Sequence, residues 1–420
     1  MIVELINTGS ELMLGRVLNT HQQWLCRQLS DLGWIVARQV AVADKGPDIQ
    51  GVVRESLGRA DLVIATGGLG PTSDDVTRDL IADLLGKPLH EDPAVLAPII
   101  RYFETRKRRV PERTKLQGLV PEGATVLANG YGTAPGLAME VKPNPFRPTG
   151  APSWLIMLPG PPRELRPMFQ ETVVPLLQRV FPRPDLFVCR TLRAVGIGES
   201  VVEERVNPPL QHLMKAGLEV GYCARPGEVD VRLLARGPEA TRLVSEAESI
   251  VAARLSGFVY GADDEELEAM LIRSLTERKQ TLAVAESCTG GAIASRLTDV
   301  PGASAVLLAG WVTYSNEAKA RFLGVRTESL AEHGAVSEQV AREMAEGARR
   351  QAGSDFALSV TGIAGPGGGT PEKPVGTVFI GLAGAGETVV EKNFNPFDRA
   401  TFKAVTAQQA LNLLRRKGLG

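Results

Sequence analysis

The segment AVAESCTGGAIASRL, residues 283–297, has the pattern of a buried strand, a tight turn and an amphipathic helix. A strand-to-helix turn of this kind exposes a serine hydroxyl, here that of Ser287, and the following Gly290 and Gly291 let a ligand approach the backbone closely. The N–H groups at the start of the helix suit an anion or an oxyanion. An ordinary N-cap followed by a packing pair of glycines explains the same residues. The pattern therefore predicts α/β structure and leaves the role of the serine open.

Two later segments place further polar groups at predicted strand ends. A strand ending at Tyr314, with Lys319 near the start of the next helix, is predicted by GWVTYSNEAKARFLGV, residues 310–325. A strand ending at Thr361 and opening into a glycine-rich loop is predicted by SVTGIAGPGGGTPEKPVGTV, residues 359–378. If these ends meet at one edge of a sheet, a lysine withdrawn from water there has a depressed pKa and can act as base for a serine nucleophile. A solvated surface lysine is the plainer alternative.

Cys288 is the rival nucleophile in this region. Thiol chemistry needs a nearby base, and of the four histidines in the chain only His333 belongs to this part of the sequence. The four cysteines form no CxxC pair and have no Cys/His ligand spacing, which predicts free thiols rather than a zinc site or a disulfide framework.

The alternation of strands and helices extends outward to most of the chain. In the first region, strands are predicted at 2–7, 35–42, 61–65 and 154–158, and helices at 19–32 and 47–58. In the last region, strands are predicted near 281–285, 309–314, 356–361 and 376–383. Such alternation predicts βαβ units with a mostly parallel sheet, whose ligands bind at the carboxyl ends of the strands. Between the two regions, residues 171–255 predict a small α+β unit, with an exit linker at 257–264.

Composition excludes several classes of protein. A chain of 420 residues with 44% apolar and 23% charged residues is globular and long enough for two or three domains. Its formal net charge of −1 gives no general attraction to nucleic acid or to acidic membranes. We find no signal peptide and no apolar run long enough to span a bilayer, and we expect a cytoplasmic protein.

A second set of polar residues follows the strands of the first region. TGSELMLGRVLNT (8–20) and ATGGLGPTSDDVTRD (65–79) combine a glycine-rich loop with hydroxyls and carboxylates. Paired aspartates beside a loop that binds phosphate suit Mg²⁺, which takes a few carboxylates together with phosphate oxygens. A capped helix with an acidic first turn is the alternative interpretation of Asp74 and Asp75. The basic segment 101–115 could also meet phosphates, and a solvated helix face is the plainer explanation for Arg106–Arg109.

The ordered motifs of the last region resemble the CinA C-terminal, or PncC-type, family of nicotinamide mononucleotide deamidases. The motifs are ESCTGG, VTYSNEAK, HGAVSE, TGIAGPGGG, KPVGTV and FDRA, and the resemblance covers residues 262–415. It implies that the domain hydrolyses the carboxamide of nicotinamide mononucleotide to nicotinic acid mononucleotide and ammonia without a metal. The implied roles are nucleophile for Ser287, base for Lys319, supporting hydroxyls for Tyr314 and Thr361, and a phosphate contact for Arg399. We expect further substrate contacts from Thr289, Gly290, Gly291 and Gly362.

The first region resembles the CinA branch of the MoaB/MogA-like molybdopterin-binding fold. GGLGPTSDD, GTAPG (132–136) and LPGPPRE (158–164) carry this resemblance, which covers residues 1 to 170. It implies cleavage of ADP-ribose to AMP and ribose 5-phosphate with a divalent metal such as Mg²⁺, helped by K⁺. Our metal-ligand candidates are Glu11, Asp74 and Asp75. The remaining substrate-binding candidates are Ser10, Asn19, Gly67, Gly68, Thr72, Ser73, Thr133 and Glu164.

The predicted architecture has three domains. A MoaB/MogA-like αβα domain spans 1–170, a small KH-like α+β domain spans 171–256, and an αβα deamidase domain spans 262–420. The middle segment has no GxxG loop of the RNA-clamping type, since VGIGES (195–200) has the wrong spacing, and we assign it a linker or dimerisation role. The family resemblance implies a homodimer. The alternative to a bifunctional enzyme of pyridine-nucleotide salvage is a regulatory protein, linked to competence or DNA damage, that binds a nucleotide or molybdopterin without turnover.

Overall fold

The computed structural model describes residues 1–181 and 186–419, which divide into two compact units, Met1–Leu186 and Phe187–Gly420. The predicted middle domain also contains residues 182–185, and the predicted C-terminal domain ends at Gly420. These positions lie outside the described residues.

The first unit is built on one central sheet. Its strands are β1 (Val3–Thr8), β2 (Val36–Val42), β3 (Leu62–Thr66), β4 (Leu89–Glu91), β5 (Leu119–Pro121), β6 (Thr125–Leu127), β7 (Gly136–Val141) and β8 (Ser153–Leu158). Its helices are α1 (Ser10–Met13), α2 (Thr20–Asp31), α3 (Gly46–Leu57), α4 (Thr77–Leu84), α5 (Pro93–Glu104), α6 (Glu112–Lys115), α7 (Pro162–Met168) and α8 (Val174–Val180). The sheet order is β2-β1-β3-β8-β7-β6, and β4 pairs separately with β5.

The central sheet of the first unit is covered on both faces. Along β3, Leu62 and Ile64 pack into one core with α2, while Val63 and Ala65 pack into another with α3. Burial on both faces explains why β3 is a continuous apolar run without alternation. Strands β2, β1, β3 and β8 are parallel, as expected, whereas β7 pairs antiparallel with β8 and β6 pairs antiparallel with β7.

The end of the first unit lies later than the predicted boundary at 170. A π-helical turn, Phe169–Val173, connects α7 to α8, so the chain stays helical across that position. Val173, Leu176 and Leu177 pack fully into the core beside α2. Residues 171–180 therefore belong to the first unit.

The second unit contains two sheets. Its strands are β9 (Phe187–Val195), β10 (Glu219–Arg225), β11 (Glu228–Arg236), β12 (Val259–Ala262), β13 (Leu282–Glu286), β14 (Leu307–Val312), β15 (Phe356–Gly362), β16 (Thr377–Ala383) and β17 (Val389–Phe394). Its helices are α9 (Glu199–Lys215), α10 (Ala240–Arg254), α11 (Leu267–Arg278), α12 (Ala292–Thr298), α13 (Asn316–Leu323), α14 (Thr327–His333), α15 (Glu338–Ala352) and α16 (Arg399–Leu413).

The smaller sheet of the second unit has the order β10-β11-β9-β12 and packs against α9 and α10. The exit linker expected at 257–264 is wrong, because Val259–Ala262 forms β12 and pairs antiparallel with β9. Val195 and Tyr260 of this module also pack into the core of the larger sheet, together with Leu271 and Phe402. The two sheets of the second unit are therefore joined by a shared core.

The larger sheet has the order β14-β13-β15-β16-β17 and is a three-layer αβα structure. Val284 of β13 faces the core formed with α11, α12 and α16, while Ala283 and Ala285 face the core formed with α15. Strands β14, β13 and β15 are parallel, and their carboxyl ends lie at one edge. The sequence pattern did not predict β17, which pairs antiparallel with β16.

Two expectations about the whole chain are answered directly. The four cysteines form no disulfide. Within 1–181 and 186–419, no helix has both the length and the apolarity needed to cross a membrane.

Candidate active sites

Ser287 directly follows β13, the middle one of the three parallel strands in the C-terminal sheet. Its N–H donates to the carbonyl of Val360 on β15 at 3.0 Å, which extends the pairing of the two strands by one residue. The side chain retains 9% of its exposure. Because β14, β13 and β15 are parallel, the segments that follow them gather around this serine.

Lys319 lies beside Ser287, although 32 residues separate them in the chain. It belongs to α13, which is capped by Ser315 through a bond from the N–H of Ala318. Its Nζ lies 3.1 Å from Oγ of Ser287 and donates to the carbonyl of Thr313 at 2.8 Å. A second carbonyl, that of Tyr314, is 3.4 Å away. The side chain is 1% exposed, so the expectation of a buried lysine holds and that of a solvated one does not.

Burial shifts the pKa values of the candidate base, Lys319, and of the rival nucleophile, Cys288. Loss of water around Lys319 lowers the pKa of its ammonium, and no carboxylate among the described residues forms an ion pair with it. Burial raises the pKa of the Cys288 thiol to about 12. A thiol that holds its proton this firmly is a poor nucleophile at neutral pH. Electrostatics therefore favours Ser287 over Cys288.

Glu286 occupies the donors that we expected to receive an anion. Its buried carboxylate accepts hydrogen bonds from the N–H groups of Gly291, Ile293 and Ala294 at 2.9 to 3.2 Å. The start of α12 is thus satisfied from within the protein, and the expected role of these donors in binding an oxyanion is corrected. The sequence analysis missed this residue. An acidic residue just before a strand-to-helix turn was the available signal.

Tyr314 lies outside the strand that was predicted to end with it. Strand β14 ends at Val312, and the Tyr314 side chain is 61% exposed. Its hydroxyl accepts a hydrogen bond from Nη2 of Arg399 at 2.8 Å, while Nη1 of Arg399 donates to the carbonyl of Gly365 at the same distance. Arg399 therefore joins the segment after β14 to the glycine-rich loop after β15.

The remaining C-terminal candidates support the shape of the site. The Thr361 hydroxyl donates to the carbonyl of Ala335 at 2.8 Å, so it holds the HGAVSE segment and makes no bond to the serine. Gly362 allows close strand packing, because a Cβ there would lie 2.8 Å from the Thr377 carbonyl. Gly290 and Gly291 both have positive φ, of 64° and 96°, as the tight turn requires.

Two buried hydroxyls beside the Ser287–Lys319 pair have no hydrogen-bond partner in the described part of the chain. They belong to Thr289, which is fully buried, and to Thr313, which is 1% exposed. Leaving a buried polar group unsatisfied costs about 1–3 kcal/mol, so such groups call for an explanation. Thr289 was a predicted substrate contact, whereas Thr313 was not anticipated.

The N-terminal candidates surround a cleft of about 360 Å³ in the first unit. The cleft lies where β1, β2, β3 and β8 end, as expected for a parallel sheet. Seven predicted residues line it: Glu11, Gly67, Gly68, Asp74, Asp75, Thr133 and Glu164. Asp44, which follows β2, and Gln117 also line the cleft and were not predicted. A carboxylate directly after a parallel strand was the signal for Asp44.

The glycine-rich loop of this cleft is held by its own carboxylates. Thr72 Oγ1 lies 2.5 Å from Oδ1 of Asp74 and from Oδ2 of Asp75, and the Thr72 N–H donates to Asp75 at 2.8 Å. The hydrogen bond from Thr72 lowers the pKa of Asp74, as do its own backbone N–H and the positive charge of Arg113. The positive charge of Arg113, in the basic segment, therefore acts on this loop, whereas Arg106 stacks on the ring of Tyr102, 3.7 Å from its centre.

Other predicted N-terminal residues have local structural roles. Ser10 and Asp44 exchange two hydrogen bonds, from Ser10 N to Oδ2 and from Asp44 N to Oγ. Asn19 caps α2 by accepting from the N–H of Gln22, and it is not among the residues that line the cleft. Ser73 is exposed on the loop. Glu164 is buried and accepts from Nδ2 of Asn129 at 2.7 Å.

The expected metal ligands do not form a ready-made metal cage. Across the described ranges, no three His, Cys, Asp or Glu side chains lie close enough together to hold a metal ion. Asp74 and Asp75 are instead engaged with Thr72. A divalent ion at this cleft would have to take its remaining ligands from the phosphate oxygens of a substrate or from water, so the metal requirement stays a prediction.

Comparison with known proteins divides the chain into three family regions. Residues 4–179 match the probable molybdopterin binding domain, 189–261 the damage-inducible protein CinA KH domain, and 264–417 the CinA C-terminal domain. A CinA-like protein of Akkermansia muciniphila is 47% identical, over 97% of this chain and 95% of its own. The crystal structure of the competence/damage inducible protein CihA from Agrobacterium tumefaciens is 43% identical and covers 36% of this chain and 92% of its own, with a TM-score of 0.35. The predicted fold class, with its MoaB/MogA-like, KH-like and C-terminal parts, is confirmed, and the chain belongs to the CinA family.

Proposed function

We propose that the C-terminal site is a serine amidohydrolase that converts nicotinamide mononucleotide to nicotinic acid mononucleotide and ammonia. The observation that carries this proposal is the 3.1 Å contact between Nζ of the buried Lys319 and Oγ of Ser287. A serine hydroxyl is a weak nucleophile until a neighbouring base takes its proton, and a desolvated lysine is such a base.

The surroundings of Lys319 suit its neutral form. A neutral amine has two N–H donors and one lone pair. When Lys319 is neutral, the carbonyls of Thr313 and Tyr314 accept its two hydrogens and its lone pair is left for the hydrogen of the Ser287 hydroxyl, 3.1 Å away; when it is charged, its third hydrogen is donated to Oγ of Ser287 instead. Burial favours the neutral form by lowering the pKa. The geometry therefore supports proton transfer from Ser287 to Lys319.

The reaction then runs in two halves. Oγ of Ser287 attacks the carboxamide carbon while its proton moves to Lys319, and the C–N bond breaks as Lys319 returns a proton to the departing ammonia. The product of this half is an ester of Ser287. Water attacks that ester as Lys319 takes one of its protons, and the bond from the carbonyl carbon to Oγ breaks as Lys319 returns that proton to Ser287. The product acid releases its own proton to solvent and leaves as the carboxylate.

Two further features support turnover at this place. The hydroxyls of Thr289 and Thr313, buried and without a partner among the described residues, add polar character around the Ser287–Lys319 pair. Arg399, implied as a phosphate contact, is held by Tyr314 and Gly365 in the segments that follow β14 and β15, and it keeps its Nε donor for a ligand. A protein that only binds the nucleotide has no need of a desolvated base next to a hydroxyl.

We propose in addition that the N-terminal cleft hydrolyses ADP-ribose to AMP and ribose 5-phosphate. Its support is the glycine-rich loop at the ends of parallel strands, where Gly67 and Gly68 adopt positive φ and line the cleft together with acidic residues. Because the carboxylates are not assembled into a metal site, a requirement for divalent ions and K⁺ stays a separate prediction. No step of the mechanism is assigned to a metal.

One experiment tests both proposals. The purified chain is incubated with nicotinamide mononucleotide and with ADP-ribose, each with and without divalent ions, and the products are identified. We expect ammonia and nicotinic acid mononucleotide from the first under both conditions, and AMP from the second only with metal. Absence of both reactions, with retained binding of a nucleotide or pterin, would favour the regulatory alternative.

A further inference from the structure

Lys403 lies on α16, one helical turn after Arg399, so both residues are on the same side of that helix. The side chain is half-buried. No hydrogen bond or ion pair joins its ammonium to any of the residues the structure describes. Within the described residues the ammonium is thus an unpaired positive charge, available to an anionic ligand.

The ammonium points to the turn that carries the candidate nucleophile. A Cβ built on Gly290 would lie 3.6 Å from Nζ of Lys403, so the charge stands over the ESCTGG loop. The N–H of Gly290 donates to the carbonyl of Ser287 at 3.1 Å, which places this turn directly after the serine. Lys403 and Lys319 therefore approach the same loop from different elements.

Other cationic or donor groups at this loop are already engaged. The N–H groups at the start of α12 bind Glu286, and both Nη atoms of Arg399 donate within the protein. Lys319 is surrounded by two carbonyls and a hydroxyl. Arg399 has only its Nε left to donate, so an anionic group that enters beside Ser287 meets the unengaged ammonium of Lys403.

We propose that Lys403 binds the phosphate monoester of the substrate and thereby selects a mononucleotide over the corresponding nucleoside. This inference rests on the proposed deamidase function and adds the residue that recognises the charged end of the substrate. A compact ammonium suits a phosphate as a point charge, alongside the planar guanidinium of Arg399.

Steady-state kinetics of the full chain tests the inference. KM and kcat for ammonia release are measured with nicotinamide mononucleotide and with nicotinamide riboside, for wild type, Lys403→Met and Lys403→Arg. We expect Lys403→Met to raise KM for the mononucleotide about 10- to 100-fold, with kcat within about threefold, because a charge-assisted bond to phosphate is lost. Activity on the riboside should not change, and Lys403→Arg should keep most of the affinity. Lys417→Met, an exposed lysine beyond the same helix, is the matched control.

The outcomes separate the inference from the function on which it rests. An unchanged KM in Lys403→Met would overturn the inference alone, and so would an equal fall in kcat with both substrates, since that would assign Lys403 to the reacting atoms. A wild-type protein that releases no ammonia from nicotinamide mononucleotide would instead overturn the deamidase proposal, and the inference with it. Thermal unfolding of each variant checks that the fold is retained.

Discussion

The C-terminal site and the N-terminal cleft both lie where parallel strands end, but they hold their polar groups differently. In the C-terminal site, the candidate base and nucleophile are buried and already in contact with each other. In the N-terminal cleft, Asp74 and Asp75 are bonded to the hydroxyl of Thr72 on an exposed loop. In the C-terminal site, the base and the nucleophile are therefore in place before a ligand binds. The N-terminal cleft needs a ligand or an ion to redirect its carboxylates, so the two sites should respond differently to the same kinds of change.

The largest expected effect comes from removing the nucleophile. Ser287→Ala should lower ammonia release from nicotinamide mononucleotide by about 10⁴-fold or more, as seen when a catalytic serine is removed. AMP release from ADP-ribose should not change. Both products are measured on the same preparation. Cys288→Ala is the matched control and should retain activity, and near-wild-type ammonia release by Ser287→Ala would refute the serine mechanism.

Replacing the base should separate activity from stability. Lys319→Met should lower ammonia release by about 10³-fold, because the serine keeps its proton. It should change Tm little, because relief from burying an ammonium offsets the loss of the donor to the Thr313 carbonyl. Kinetics and thermal unfolding together measure this. A fully active Lys319→Met, or one that is strongly destabilised, would contradict the assignment.

A smaller effect is expected at the N-terminal loop. Asp75→Asn should lower AMP release from ADP-ribose by about 10- to 100-fold, because the charged acceptor for the Thr72 N–H and hydroxyl is lost. Ammonia release should be unaffected. Asp48→Asn, an exposed carboxylate in the first turn of α3, is the control. Equal loss of both activities in Asp75→Asn would mean that the two sites do not act separately.

The pH dependence should also distinguish the sites. The neutral amine of Lys319 is the active form, so kcat/KM for deamidation should rise about tenfold per pH unit and then level off as the lysine loses its proton. Burial lowers the pKa of Lys319, which moves the plateau below the pH at which an ordinary lysine titrates. AMP release from ADP-ribose should not show this rise with pH, because Lys319 takes no part in it. A deamidation rate that falls with rising pH, or rises without levelling until ordinary lysine values, would exclude Lys319 as the base.

The sequence was sufficient to predict the approach of Ser287 and Lys319, because parallel strands must end at one edge wherever their loops lead. It did not predict what the neighbouring groups do. The bonds of Glu286 to α12 and of Thr361 to Ala335 depend on side-chain directions that spacing does not specify. Thr313 accepts a hydrogen bond from Lys319 through its backbone carbonyl. Every residue has such a carbonyl, so the residue type could not predict this contact.

The missed elements have a similar cause. Residues 257–264 contain glycines and acidic residues typical of a linker, and β12 forms there because β9 offers a free edge. The segment 389–394 becomes β17 only by pairing with β16. Such pairings are decided by tertiary contacts and override weak local preference. In the N-terminal cleft, likewise, the composition of the loop predicted acidic side chains but not their engagement with Thr72.

The shared core of the second unit has a consequence for anyone who wishes to excise the deamidase. Family boundaries suggest a cut near residue 262, yet Val195 and Tyr260 on the discarded side fill space next to Leu271 and Phe402. A domain expressed from residue 262 onward would therefore expose an apolar surface beside α16, the helix that carries Arg399 and Lys403. Evolutionary modules and units of folding therefore do not coincide in this half of the chain, and a usable fragment should begin before β9.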